Sequence, residues 1–462
     1  MPSWSVLDHN LSKARVNQNN LFIKSSHSNS SQLINHQSSK NPFNQFHQWP
    51  LILVTGATGY IGSHVVFELL SQARVGVIAV DNLSNSSHES LKRAYNLASQ
   101  AGPCPPLYFH QVDICDRPKL FSILKRYKKI DGRSAIHHVI HFAALKSVNG
   151  SRLDPAKYYF TNLVGTTRLL EVMESIGVRS IVFSSSAVVY GMGPHADHQT
   201  RTNLLSESHC HVRIGQSESE RRNNYKRLTN PYGKTKLMCE EWIHGLCNSK
   251  GFQAIILRYT NPSGNHPSGI IGDSPNQPEN LMPIAAQVLQ GIRDQILIYG
   301  NDYPTYDGTG VRDFIHVQDL AKGHLAALNG LESLPTGSNS YPANCRTYNL
   351  GTGKGASVME VINALIKVSG QVIKTRVAPR RPGDLAVVIC NPSKAERELG
   401  WRAEKDIIEM AQDLWTFCIK NPHGLNSPKS DNKPHAVHRS VNEWPNKQPE
   451  IIGPSYLVTI LP

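Results

Sequence analysis

The sequence predicts an α/β fold: a doubly wound parallel sheet joined to a smaller mixed α/β substrate-binding domain. Three observations predict it. From residue 51 short apolar runs alternate with helix-length segments, a glycine-rich turn follows the first run, and Pro and Gly become frequent after Asn261, where the alternation loosens.

The apolar runs are Leu51–Thr55, Val75–Asp81, Leu107–Asp113, Ile136–Ala144, Ser180–Ser186 and Ala254–Tyr259. Strands separated by helix-length segments pair in parallel, with crossover helices on both faces of the sheet. The first domain is therefore expected over residues 49–261, and the second over 262–424. Residues 1–48 are crowded with Ser, Asn, Gln and His and read as a disordered extension. The rival reading there is a transit peptide, but Arg15 is the only arginine and no basic amphipathic stripe develops. Residues 193–229 interrupt the apolar pattern as a polar insertion, and residues 425–462 form a polar, Pro-rich tail.

Composition narrows the function classes. A net charge of +13 invites a nucleic-acid partner, but Lys and Arg are spread along the chain rather than gathered on one segment, so none is expected. No stretch approaches the roughly 20 apolar residues of a membrane span, and no secretory h-region opens the chain. A cytoplasmic protein without a membrane partner is expected. The 8 cysteines form no Cys-x-x-Cys pair, so free thiols are expected and no metal site.

In the turn after the first strand, Gly56-Ala-Thr-Gly59-Tyr-Ile-Gly62, glycines let the backbone approach a pyrophosphate whose charge sits at the positive end of the next helix. Asp81 closes the second strand 19 residues after Gly62. A carboxylate there accepts hydrogen bonds from adenosine ribose hydroxyls and repels a 2′-phosphate, which favours NAD. The plainer role for Asp81 is to cap the following helix. Taken together, the strand, turn and helix predict a Rossmann NAD-binding domain.

Tyr232 and Lys236 stand at i and i+4 at the start of a helix expected over Tyr232–Leu246, so they share one face. A free tyrosine has a pKa of about 10 and needs a depression of roughly 3 units to act as a base near neutrality. The Lys236 charge, with a positive nicotinamide, is the expected source. Ser186 ends a strand at the carboxyl edge of the sheet, where it can hydrogen-bond Tyr232 and a reacting hydroxyl.

Across Leu51 to about Gly424 the sequence resembles the UDP-glucose 4-epimerases of the extended short-chain dehydrogenase/reductase family. The resemblance runs through the glycine loop, Asp81-Asn-Leu-Ser-Asn85, His141-Phe-Ala-Ala-Leu-Lys146, Ser184-Ser-Ser-Ala-Val-Val-Tyr-Gly191, Pro231-Tyr-Gly-Lys-Thr-Lys236, and Arg258-Tyr-Thr-Asn261-Pro. It continues through Asn280-Leu-Met-Pro283, the long run from Gly300 to Val317, and Arg380-Arg-Pro-Gly-Asp384. It implies that Tyr60, Ile61, Asp81, Asn82, Asn85, Asp113, Ile114, Phe142, Ala143, Lys146, Asn162 and Tyr259 line the NAD site. Ser186, Asn261, Asn280, Leu281, Arg312, Arg381 and Asp384 would line the UDP-sugar site. Planar guanidinium forks suit a diphosphate, although Arg312 could instead form a surface ion pair with Asp313. Thr260 stands where Phe is common in the family.

The implied reaction interconverts UDP-galactose and UDP-glucose through a 4-keto sugar, with Tyr232 as base, in galactose metabolism; a homodimer is expected. A sugar-nucleotide 4,6-dehydratase would carry an Asp-Glu pair just before Val-Tyr-Gly, where this chain has Ala187 and Val188, neither able to transfer a proton. A non-catalytic sensor would have lost Ser186, Tyr232 or Lys236. The resemblance also implies that Val388, four residues after Asp384, faces the sugar and governs whether a C2 N-acetyl group fits; the plain alternative is strand filling beside Val387 and Ile389.

Overall fold

The computed structural model describes residues 49–100, 102–129, 131–192, 204–210, 212, 215–275, 278–425 and 450–452, all within one compact unit, residues 43–462. The expected N-terminal extension, the first part of the polar insertion and most of the C-terminal tail lie outside the described residues.

Six strands come first: β1 (Leu51–Thr55), β2 (Gly76–Asp81), β3 (Leu107–Gln111), β4 (Ile136–His141), β5 (Ser180–Ser184) and β6 (Gln253–Tyr259). They are followed by β7 (Asn261–Ser263), β8 (Ile296–Tyr299), β9 (Val311–Arg312), β10 (Phe314–His316) and β11 (Cys345–Leu350). The last four are β12 (Ala356–Ser357), β13 (Thr375–Ala378), β14 (Val387–Val388) and β15 (Glu450–Ile452). The helices that frame the site and the cores are α1 (Tyr60–Ser71), α2 (Val148–Leu153), α3 (Glu218–Arg227) and α4 (Pro231–Lys250). Further along lie α5 (Leu281–Leu289), α6 (Val317–Glu332), α7 (Val358–Ser369) and α8 (Ile407–Lys420).

The main sheet has the order β11-β6-β5-β4-β1-β2-β3-β15. Seven of these strands run parallel, and β15 pairs antiparallel with β3, Ile452 opposite Leu107 and Glu450 opposite Phe109. The windings diverge between β1 and β4, which opens a crevice at the carboxyl ends of the strands, the ligand position of such sheets. Every residue of β1 is buried, because helices cover both faces. Ile52, Val54 and Val66 fill one side; Leu53, Val80, Val139 and Phe183 fill the other.

The chain returns to this sheet after residue 261. α6 packs on α1, and β11 continues the ladder on β6 from Cys345–Ala254 to Leu350–Tyr259. β6 would otherwise present unpaired backbone groups at an open edge. A third core lies between α5, α7, α8 and β8, with Met282, Ile296, Leu365 and Leu414 at its centre.

Part of the polar insertion is packed. Cys210, Val212 and Leu228 share a small core with Val189 and Tyr190, and the Leu205 N–H donates to the Ile389 carbonyl at 2.8 Å. α3 follows, opened by a reciprocal cap between Ser217 and Glu220. In the C-terminal tail, Glu450–Ile452 forms a strand whose backbone partners are supplied by the edge of β3.

Candidate active site

β1 runs into Gly56 at φ +68, where an added Cβ would lie 2.7 Å from the Ala143 nitrogen. A Cβ on Gly62 would overlap the Gly56 carbonyl oxygen and come within 2.9 Å of the Ala57 Cα. Only glycines permit this close turn. Gly59 begins α1 with no side-chain cap, so the first N–H groups of the helix stay open to an anion at its positive end. The cradle fits a pyrophosphate and thus the phosphate end of NAD.

Asp81 ends β2 with Oδ2 accepting from the Thr58 N–H at 3.2 Å and Oδ1 from the Leu83 N–H at 2.8 Å. It does not cap the next helix, which starts at Glu89. Asn82 donates to Asp113 at 2.9 Å, beside buried Ile114, while Asn85 is exposed. The Tyr60 hydroxyl reaches the Gly264 carbonyl, and Ile61 and Phe142 pack against the core. Phe142 and Ala143 follow β4 directly, with exposed Lys146 just beyond. Asn162, expected to line the cofactor site, is tied to the loop after β4. It is 1% exposed, and its amide is engaged by Leu145 N–H at 2.8 Å, Leu145 carbonyl at 3.0 Å and Thr235 at 3.1 Å, so it positions the loop after β4.

α4 starts where Asn230 caps the Gly233 N–H at 2.8 Å and Pro231 takes the first helical position. This start puts Tyr232 in the first turn and Lys236 one turn on, both buried. Ser186, just past β5, accepts from the Val188 N–H at 3.3 Å and stands near enough to the Tyr232 phenol to draw its pKa down. Tyr259 hydrogen-bonds Ser184, at the same strand tip. In the chain by itself, burial pushes the Tyr232 phenol up to about 12, with Ser186 pulling down and Tyr158 pushing up. Lys236 donates to the Ser184 carbonyl at 2.6 Å and sits 4.9 Å from the Phe183 ring centre; burial draws its ammonium down to about 8.

On the facing side, β14 pairs in parallel with β9, Val388 opposite Arg312, so the two side chains share a face. Arg312 does not pair with Asp313. That carboxylate is buried and accepts from the Thr352 hydroxyl at 2.6 Å and the Thr352 N–H at 2.9 Å. Arg312 donates to the Val311 carbonyl at 2.8 Å, and burial draws its pKa down while Asp384 opposes. Arg381 donates to Asp384 at 2.8 Å and lies 4.7 Å from the Tyr299 ring centre. Asn261 in β7 and Asn280 at the head of α5 are exposed, with Leu281 half-buried beside them. Thr260 turns its hydroxyl to the Asp313 carbonyl at 2.5 Å.

Sequence reasoning missed a buried triad beneath the strand tip. Glu240 accepts from Arg258 at 2.5 Å and from Ser185 at 2.5 Å, all three buried. The signal was available: Tyr232, Lys236 and Glu240 recur every four residues on one helix face. Among the described residues no group of three His, Cys, Asp or Glu could hold a metal ion, and no helix is long and apolar enough to cross a membrane.

Residues 52–351 match the model of the NAD dependent epimerase/dehydratase family. UDP-glucose 4-epimerase 2 of Arabidopsis thaliana is 46% identical over 378 residues, 81% of this chain and 97% of that protein. The human UDP-glucose 4-epimerase is 43% identical over 81% of this chain and 98% of its own length. A crystal structure of UDP-glucose 4-epimerase from Bifidobacterium longum, in complex with NAD+ and UDP, superposes with a TM-score of 0.69 at 38% identity, covering 81% of this chain and 99% of that one. With the cradle and the Ser-Tyr-Lys group in place, this chain belongs to the NAD-dependent epimerase/dehydratase family.

Proposed function

We propose that the protein is a UDP-glucose 4-epimerase, interconverting UDP-galactose and UDP-glucose with NAD as a resident cofactor. The observation that carries this reading is the approach of Ser186 to Tyr232 at the tip of β5, in the same parallel sheet as the glycine cradle that follows β1, with Ala187 and Val188 in place of an acid–base pair. Epimerisation needs one proton acceptor and no elimination of water, and this site holds one.

Held by the Gly56–Gly62 cradle, NAD would supply the hydride acceptor and donor for sugar C4. Tyr232 takes the proton of the 4-hydroxyl and gives it back. Ser186 holds that hydroxyl and the phenol in register. Lys236, one helical turn from Tyr232, fixes the Ser184 carbonyl and with it the strand tip that carries Ser186. Arg312 and Arg381, with Asp384, grip the UDP end while Asn261, Asn280 and Leu281 line its path. Held only at that end, the 4-keto sugar turns over and presents its opposite face. Gly56, Gly59 and Gly62 cradle the cofactor phosphates, and Asp81 takes the adenosine ribose.

The same reading makes the protein a cytoplasmic homodimer without a nucleic-acid partner. Leu153 (79% exposed), Phe160 (52%) and Trp242 (46%) are exposed apolar side chains available to a second copy; light scattering should give twice the chain mass. For the chemistry, UDP-galactose deuterated at C4 should yield UDP-glucose with deuterium kept at C4. Washout to solvent would contradict hydride return.

A further inference from the structure

The turn Arg381–Asp384 carries two of the groups assigned to the UDP end. Internally it is closed by the Asp384 N–H on the Arg381 carbonyl at 3.2 Å and by the Arg381–Asp384 ion pair at 2.8 Å, and it turns at Gly383 with φ +77. It is also fastened from outside. Arg152, in α2, donates from Nη2 to the Pro382 carbonyl at 2.9 Å, its one polar partner among the described residues. An added Cβ on Gly383 would lie 3.2 Å from that nitrogen and 3.5 Å from the Thr229 Cβ. Thr229 stands three residues before Tyr232. The turn therefore rests on the chain segment after Lys146 at one point and on the root of the catalytic helix at another.

We infer that Arg152 is a positioning residue, a latch that holds the Arg381–Asp384 turn over the UDP end of the substrate. It touches neither sugar nor cofactor, and its role rests on the UDP-sugar reading given above. The reaction makes such a latch consequential. After the proton has gone to Tyr232 and the hydride to the cofactor, a 4-keto sugar remains that is held only through its UDP end. If it leaves before the hydride returns, the released product is a UDP-4-keto sugar and the enzyme is left with its cofactor reduced. A looser turn raises the rate of that escape without altering the proton transfer.

Arg152 is exposed, so its hydrogen bond contributes little to folding, and Arg152→Ala should fold with an unchanged melting temperature. Calorimetric titration with UDP should show affinity about three- to tenfold weaker, the scale of one lost charged-donor hydrogen bond in a partly wet site. With UDP-galactose, KM should rise by a similar factor while kcat stays within about twofold. The fluorescence of reduced cofactor should build up faster over many turnovers than in the wild type. Arg152→Lys, which keeps one donor, should recover part of each change. Arg152→Ala that binds UDP and accumulates reduced cofactor as the wild type does would overturn the latch. Wild-type protein inert on UDP-galactose would tell against the epimerase reading instead, while the UDP titration still decides whether Arg152 holds the turn.

Discussion

Lys236 donates to the Ser184 carbonyl oxygen at 2.6 Å, one helical turn from Tyr232, and its buried ammonium titrates near 8. The unfolded value is near 10.5, so between pH 8 and 10.5 the unfolded chain binds more protons and stability rises with pH. Tyr232 acts later and in the other direction: its phenol, raised to about 12 from 10, contributes stability that is lost as pH climbs above 10. The melting temperature of the wild type relative to Lys236→Met should therefore rise from pH 8 to 10. A difference that stays flat across this range would contradict a buried ammonium at Lys236.

Tyr232→Phe removes the base and keeps the ring that packs in the site. Turnover should fall about a thousandfold, within the range for general-base loss, while the purified protein retains its cofactor by absorbance. Turnover within tenfold of wild type would remove Tyr232 from its role.

Glu240→Gln leaves the Arg258 guanidinium, 1% exposed, without its counter-charge. Stripping one partner from a buried pair costs about 3–5 kcal/mol, so the denaturation midpoint should drop sharply. Arg258 also donates to the Cys210 carbonyl at 2.8 Å, so protease cleavage within the insertion should quicken in parallel. An unaltered midpoint would mean that the pair is dispensable.

Much of this site is written locally in the sequence. The glycine loop and the Tyr232–Lys236 spacing are short-range patterns, and both lie where the pattern placed them. What escaped depends on distant partners. The direction of the Tyr232 shift is set by burial under several elements, which spacing along one helix does not encode. Glu240 meets Arg258 only because β6 packs beside α4. α3, inside the polar insertion, lacks an apolar stripe and is opened by its Ser217–Glu220 cap, so the apolar pattern gave no sign of a helix there. β15 spans only Glu450–Ile452, and its partners belong to β3.

Val388 lies opposite Arg312 across β14 and β9, half-buried, on the face that carries the guanidinium. A valine there leaves room that a tyrosine would fill, and an aromatic forced into an occupied pocket costs on the order of 1–3 kcal/mol. The wild type should turn over UDP-N-acetylgalactosamine more slowly than UDP-galactose, and Val388→Tyr should lose the N-acetylated substrate selectively. Full activity on UDP-galactose with none on the N-acetylated sugar in the wild type would make Val388 ordinary strand filling.

The central claim is that the chain carries its own NAD and inverts C4 with no net redox change. Purified protein, incubated with UDP-galactose and no added cofactor, should form UDP-glucose until the two sugars reach a fixed ratio, the same ratio reached from UDP-glucose. Absence of UDP-glucose from protein that retains bound NAD would contradict it.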